Sequence, residues 1–357
     1  MLNGHRSNTE RPGAHSEVQS FSTMGAVMNP HHPGLTPSLA VTAAARMNVK
    51  RVSVTASLIA GLFFSAFVLA AVPGQIAFSS NRSGNYEIYR KNLVTGAIAD
   101  LTNDPANDMN PQVSRDGRYL AFYSDRTGNN QIYKIDLLNP GPVARLTNDG
   151  ASNYDPAFFP DGRILFKSNL KDGYGDIWIM DANGLNQRNL TPLLSTTEEW
   201  KPDATSSTSV AFVSGLRDAS EIYTLDLTSN ALRRLTNNQL PDWYPAVSPD
   251  GARIAFVSKD SPNSPDALFI ITVDGQGRSR ITSFPGDADD PAWSPDGQYI
   301  TFVGRNGATY DIYALNIRSG QIEVLESDPR GDELSPIFLP APNDPLINLP
   351  PWRHAVF

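Results

Sequence analysis

Residues 291 to 320 read PAWSPDGQYITFVGRNGATYDIYALNIRSG, and this stretch decides the fold. Ser294-Pro295-Asp296-Gly297 is a reverse turn, because proline pre-sets φ at its second position and glycine accepts the positive φ that closes it. Pro291-Ala292-Trp293 before the turn and Ile300-Thr301-Phe302 after it are short apolar segments with the period of two expected of half-buried strands. Ile312-Tyr313 starts a third strand of the same kind, and Leu325 ends a fourth.

The same punctuation recurs from residue 74 to residue 340. A proline precedes a short apolar run at 111, 156, 202, 245, 291 and 336, at spacings of 45, 46, 43, 46 and 45 residues. Pro-Asp-Gly returns at 160 to 162 and 249 to 251, with Arg115-Asp116-Gly117 as a near match. Second strands recur at Ile76-Ala77-Phe78, Leu120-Ala121-Phe122, Leu165-Phe166, Val210-Ala211-Phe212 and Ile254-Ala255-Phe256. Third strands recur at Ile88-Tyr89, Ile132-Tyr133, Ile177-Trp178, Ile222-Tyr223 and Leu268-Phe269. Fourth strands end at Leu101-Thr102, Leu146-Thr147, Leu190-Thr191, Leu235-Thr236 and Ile281-Thr282. A period of about 45 residues with four strands is one propeller blade. The fold expected is therefore all-β, a six-bladed β-propeller of four-stranded antiparallel blades. The repeat at Pro202 replaces the turn motif with Ala204-Thr205-Ser206-Ser207-Thr208, which implies a looser hairpin.

The repeats also predict how the ring closes. The first begins at Gly74-Gln75-Ile76 with its second strand, and the last, Leu334 to Leu339, is a first strand with nothing after it. Together they complete one blade, a Velcro closure that leaves no open sheet edge.

The six copies, cleanest at 291 to 320, resemble the Pro-Asp-Gly repeats of the TolB propeller over about three quarters of the chain. That resemblance implies a binding module, whose partner is an envelope or secreted protein or peptide. TolB carries an α/β domain before its propeller. Here residues 1 to 46 are unpatterned and 47 to 73 signal-like, so a propeller-only relative is expected.

Composition narrows the chemistry. The 357 residues include no cysteine, and the five histidines, at 5, 15, 31, 32 and 354, all lie outside the repeats. Thiolate metal sites, cysteine nucleophiles, serine hydrolases needing a histidine base and histidine-ligated metals are thereby excluded from residues 74 to 340. No G-x-S-x-G elbow or phosphate-cradling glycine loop occurs there. Residues 74 to 357 carry 24 basic against 35 acidic side chains, a net charge of −11. Such a body repels phosphate backbones, so no nucleic-acid partner is expected.

Residues 52 to 72, VSVTASLIAGLFFSAFVLAAV, follow Lys50 and Arg51 as an apolar core follows a positive n-region. Residues 47 to 73 are read as a signal peptide or membrane anchor, with Met47 as an alternative start. Residues 1 to 46 are read as a disordered or mis-assigned extension and 341 to 357 as a Pro-rich tail. A periplasmic or secreted monomer is expected, touching a membrane only through its N-terminal segment.

The fourth-to-first-strand crossovers and the second-to-third-strand hairpins share one face. The crossovers bring Asp104, Asp108, Asp155, Glu198, Glu199, Asp242, Asp287, Asp289, Asp290, Asp332 and Glu333 near the starts of the inner strands. The hairpins bring Arg82, Arg126, Lys171, Arg217 and Arg305. Two readings stand. One is an acidic mouth that binds a cation such as Ca2+, or a basic segment of a partner. The other has these carboxylates accepting backbone N–H bonds or pairing with the hairpin arginines. Trp200, Trp243, Tyr154 and Tyr244 lie at the same crossovers, as interface anchors or as packing between blades. The binding surface expected is Asp108, Asp155, Glu199, Trp200, Asp242, Trp243, Asp289, Asp290 and Glu333, with no catalytic residue and no cofactor. The alternative is a carbohydrate-active or metal-assisted enzyme using the axial pocket, with paired carboxylates as acid and base.

Overall fold

The computed structural model describes Val72 and residues 74 to 340, apart from positions 140, 171, 172, 193, 195, 196, 217, 218 and 306. The expected extension, export segment and Pro-rich tail lie outside the described residues, except for Val72, as do Lys171 and Arg217.

Among the described residues twenty-four strands form six four-stranded antiparallel sheets. The inner strands are β4 (Asp108–Val113), β8 (Asn153–Phe158), β12 (Glu198–Ala204), β16 (Trp243–Val247), β20 (Asp287–Trp293) and β24 (Glu333–Leu339). Each packs against the next, and β24 against both β20 and β4, so the six close a ring around one axis. Blade 1 has the order β24, β1 (Gln75–Ser80), β2 (Glu87–Asn92), β3 (Ile98–Asp100). Ile76 opposes Phe338 and Ala77 opposes Ile337, the closure anticipated from the two half-repeats.

The second strands carry the core. Phe78, Phe122, Phe166, Phe212, Phe256 and Phe302 are fully buried, one per blade. Each lies directly opposite the aromatic of the third strand, as Phe78 with Tyr89 and Phe212 with Tyr223. Ring centroids in the six pairs are 5.5 to 6.4 Å apart. Burying each phenylalanine contributes about 2 to 3 kcal/mol, and an aromatic cross-strand pair adds up to about 1 kcal/mol. The clusters lie between blades, so Ile76 and Phe78 pack with Ile312 and Ala314 of blade 6.

The Leu-Thr pairs have a hydrogen-bonding reason. Thr102, Thr147, Thr191 and Thr236 accept through Oγ1 the backbone N–H of Ile88, Ile132, Ile177 and Ile222 at 2.9 to 3.0 Å. The crossover is thereby tied to the third strand of its own blade. In the Pro-Asp-Gly turns Gly251 has φ +70° and donates to the Ser248 carbonyl at 2.8 Å. The hairpin after Ala204 reverses through Thr205 and Ser206 N–H groups that both point to the Ser209 carbonyl.

Candidate functional site

Each inner strand breaks its ladder once, at its proline. Register shifts occur between Met109 and Gln112, Tyr154 and Ala157, Trp200 and Asp203, Trp243 and Ala246, and Asp289 and Ala292, and at the matching place in β24. Proline has no N–H to donate, so the strand must bulge there. The preceding residue takes up the distortion. Asn110, Asp155, Lys201, Tyr244, Asp290 and Ser335 all have positive φ, between 47° and 57°. Left-handed backbone costs a non-glycine residue about 1 to 3 kcal/mol, and all six blades bear it at the same position. The first five of these residues line one cavity of about 190 Å³ on the axis, just inside the crossover face.

Lys201 crosses this cavity. Its Nζ donates to Asn110 Oδ1 at 3.1 Å and Asp290 Oδ1 at 3.0 Å, and lies 4.0 Å from Asp155 Oδ1. Asn110 Nδ2 donates to the same Asp155 oxygen at 2.7 Å. The ammonium also sits 4.9 Å from the Tyr244 ring centroid. One lysine thus links blades 2, 3, 5 and 6 from blade 4. Burial pulls its pKa down, but Asp290 and Asp155 outweigh that and leave it raised. Around it stand aromatic pairs in edge contact, Tyr123 with Tyr154 at 5.4 Å and Trp200 with Tyr244 at 5.3 Å.

The structure sorts the residues singled out in the sequence into three groups. Asp155 and Asp290 face the channel. Trp200, Trp243, Tyr154 and Tyr244 are half-buried, with Trp200 packed on the core between blades 4 and 5 and Trp243 on that between blades 5 and 6. Asp108, Glu199, Asp242 and Glu333 are fully buried and do not line the mouth. Asp108 takes Arg126 at 2.6 Å and Glu333 takes Arg82 at 2.7 Å. Glu199 accepts from Thr197 and Ser214 at 2.7 and 2.8 Å. Asp242 accepts from Asn238 at 2.8 Å, with Arg278 3.8 Å away. Pairing with hairpin arginines is seen for Asp108 and Glu333, whereas Glu199 and Asp242 accept from hydroxyl and amide side chains. Arg305 instead stacks on Tyr310, 5.2 Å from its centroid. Asn110, Lys201 and Ser335 were not singled out. Their signal was the proline after them, which requires a bulge in a strand that could not otherwise tolerate it.

Asp155 and Asp290 flank the Lys201 ammonium, which balances one of their two charges. Among the described residues no three His, Asp or Glu side chains converge as metal ligands.

Asp289, beside Asp290, gives a pH test. Burial, then the Asp290 charge, pushes its carboxyl up to about 7. The unfolded chain releases that proton near pH 4, so the folded protein binds an extra proton between about pH 4 and 7. Stability contributed by this group is therefore full below pH 4 and lost as pH rises through 7. Asn at 289 can still accept the Asp290 N–H, a 2.9 Å bond. D289N is expected to raise unfolding free energy at pH 8 by about 1 to 3 kcal/mol, one pKa unit being about 1.4 kcal/mol, and to have little effect at pH 4. Urea titrations at the two pH values check this, and parallel shifts at both would contradict it.

Comparison with known proteins agrees with this architecture. A family described as TolB beta propeller domain matches residues 71–199. An uncharacterized protein of Agrobacterium fabrum is 28% identical over 247 residues, which cover 68% of this chain and 80% of that protein. The Tol-Pal system protein TolB of Francisella tularensis is 29% identical over 62% of this chain, which spans only 52% of that relative. The crystal structure of TolB from Acinetobacter baumannii superposes with a TM-score of 0.64 at 22% identity, covering 75% of this chain and 67% of that one. Six four-stranded blades closed by the chain's own first and last strands define a β-propeller of the Pro-Asp-Gly repeat class. The chain is a six-bladed β-propeller similar to the propeller of TolB, and it spans about half the length of the Francisella TolB.

Proposed function

We infer that this propeller is a protein- or peptide-binding module of the cell envelope or periplasm, which docks its partner over the axial mouth on the crossover face. The observation that carries this reading is the ring of six left-handed pre-proline residues. Strain is repeated in every blade, and in five of them it sets Asn110, Asp155, Lys201, Tyr244 and Asp290 around one axial cavity, where a partner would meet them together. A half-buried aromatic collar beside polar groups that already hold one another suits an interface. Two carboxylates against one ammonium leave the mouth net negative, which favours a basic side chain on the partner. Location outside the cytoplasm rests on the signal-like residues 47 to 73 and on the relatives named as Tol-Pal proteins.

The test is an affinity capture from envelope extract with wild type and with D155N/K201Q/D290N, which removes the mouth's charges at nearly constant volume. A specific envelope protein recovered by wild type is expected to fall at least ~10-fold with the variant, a loss of about 1.4 kcal/mol or more in binding. Melting temperatures of the two proteins, compared in parallel, report whether the variant has folded. Equal capture by two folded proteins would refute the reading. Turnover of a polysaccharide by purified wild type, abolished in the same variant, would point to an enzyme instead.

A further inference from the structure

The face opposite the mouth carries a second opening, of different chemistry. Val113, Phe158, Ala204, Val247, Trp293 and Phe338, each two residues after an inner-strand proline and one from each blade, line a vestibule of about 670 Å³ there. That volume falls in the range of sites that enclose a ligand, about 300 to 1,000 Å³. Trp293 donates its indole N–H to the Ala246 carbonyl at 3.0 Å, so the side chains of this floor bring no unpartnered polar atom. Two residues further on, the chain supplies the rim. Pro160, Pro249, Pro295 and Pro340 stand there in four blades, whereas blade 2 has Arg115 and blade 4 has Ser206.

The two departures from the proline rim set its chemistry. Arg115 is half-buried in the lining and, among the described residues, has no hydrogen-bond or ion-pair partner. Asp250 also lines the vestibule, unlike the other turn aspartates Asp116, Asp161 and Asp296. Its Oδ1 accepts both the Ser248 hydroxyl and the Ala252 N–H, which holds the carboxylate in place through one oxygen. Strands β4 and β16 stand three places apart in the ring of six, so Arg115 and Asp250 lie on opposite sides of the apolar floor. Neighbouring charges are already engaged. Asp116 accepts from Ser114 and the Arg118 N–H, Asp161 pairs with Arg163 at 2.8 Å, and Lys134 donates to the Ala182 carbonyl. Arg253, whose charge reaches Asp250, stacks on the Trp293 ring at 5.0 Å. A cation and an anion across a hydrocarbon floor match a ligand with opposite charges at its two ends and apolar groups between them. A round cavity of this volume is about 11 Å across, the length of about three extended residues. Hydroxyls of Thr205, Ser206 and Ser207 in the blade 4 rim can partner peptide groups along the way. An anion with a plain hydrocarbon tail would instead press apolar atoms on the Asp250 carboxylate and strip its water without return.

We propose that the vestibule binds a short apolar peptide with free ends, its terminal carboxylate on Arg115 and its terminal ammonium on Asp250. This is independent of what binds at the mouth. The probe is the tripeptide Leu-Ala-Leu, titrated by calorimetry into the full-length protein with both ends free, with the amino end acetylated and with the carboxyl end amidated. Blocking either end is expected to weaken binding to the wild type ~10-fold, the effect of one hydrogen bond between charged groups. R115Q is expected to bind the free and the amidated peptide alike while still discriminating against the acetylated one. D250N, whose amide oxygen can still accept from Ser248 and Ala252, is expected to do the reverse. Melting temperatures report whether each variant has folded, and the blocked peptides test the charge match on the wild type alone. No saturable binding of the free peptide at millimolar concentration, or equal affinity for all three peptides, would overturn the proposal. Retention of both end preferences in folded R115Q and D250N would overturn it as well. Binding lost in D155N/K201Q/D290N but untouched by R115Q would place the peptide in the mouth and overturn it too. So would laurate binding more tightly than the free peptide, which would make the ligand a fatty anion.

Discussion

A chain that stops at Asp332 is expected to lose its folded monomer. Without β24 the first blade has no inner strand, and the backbone of Gln75 to Ser80 becomes an open edge. Ile337, Phe338 and Leu339 are each less than a tenth exposed, and they share core clusters with both neighbouring blades, with Ile312 and Ala314 of blade 6 and with Leu120 and Phe122 of blade 2. Their burial alone contributes about 2 kcal/mol per side chain. The sum is comparable with the whole net stability of an ordinary domain, about 5 to 15 kcal/mol. Loss of the strand also strands Arg82 without Glu333 and leaves an apolar edge able to pair with other chains. Size-exclusion chromatography and thermal melting should show oligomers or an unfolded chain. A monomer that melts as the intact protein does would show that the blades are held without their closing strand.

Legibility followed periodicity. Apolar residues spaced two apart and turns spaced about 45 residues apart are local and repeated, so blade number, strand order and closure were all readable from residues such as Ile76, Phe78 and Pro336. Placement of acidic residues at the crossovers was readable too, but not the direction in which each side chain points. Asp108 and Glu333 start their strands and turn into the blade, where an arginine awaits each of them. Asp155 and Asp290 come two and three residues later than the strand starts, at the bulge, and turn to the axis. A strict alternation cannot tell these apart, because the bulge inserts a residue and resets the parity of the strand. Lys201 was hidden for another reason. Searching the crossovers for one sign of charge misses the cation that holds the anions in place, although its position before Pro202 matched that of Asp155 before Pro156.

Arg82→Met is expected to destabilise the protein by about 3 to 5 kcal/mol, the range for removing one partner of a buried ion pair. The guanidinium lies 2.7 Å from Glu333, 2.8 Å from Glu326 and 3.7 Å from Asp328, so it joins the closing strand to the end of blade 6. It also covers the Phe78 and Tyr89 rings at 5.3 and 5.0 Å, contact that methionine largely retains. The loss should therefore come from stranded charge, and pH separates it from packing. Burial pushes Glu333 up to about 7 even with Arg82 beside it, and without the arginine the carboxyl would rise further. At pH 5 the variant holds Glu333 neutral and needs no counter-ion there, whereas at pH 8 the folded state must bury a charge or retain a proton against the solvent. Stability attributable to this raised group is present at low pH and lost as pH rises through its folded pKa. Urea unfolding is thus expected to show a larger deficit at pH 8 than at pH 5. Adding Glu333→Gln should recover part of it at pH 8 and little at pH 5, because glutamine resembles the protonated acid. A deficit independent of pH, unrelieved by Glu333→Gln, would assign the stabilisation by Arg82 to its stacking on Phe78 and Tyr89 rather than to the ion pair that closes the ring.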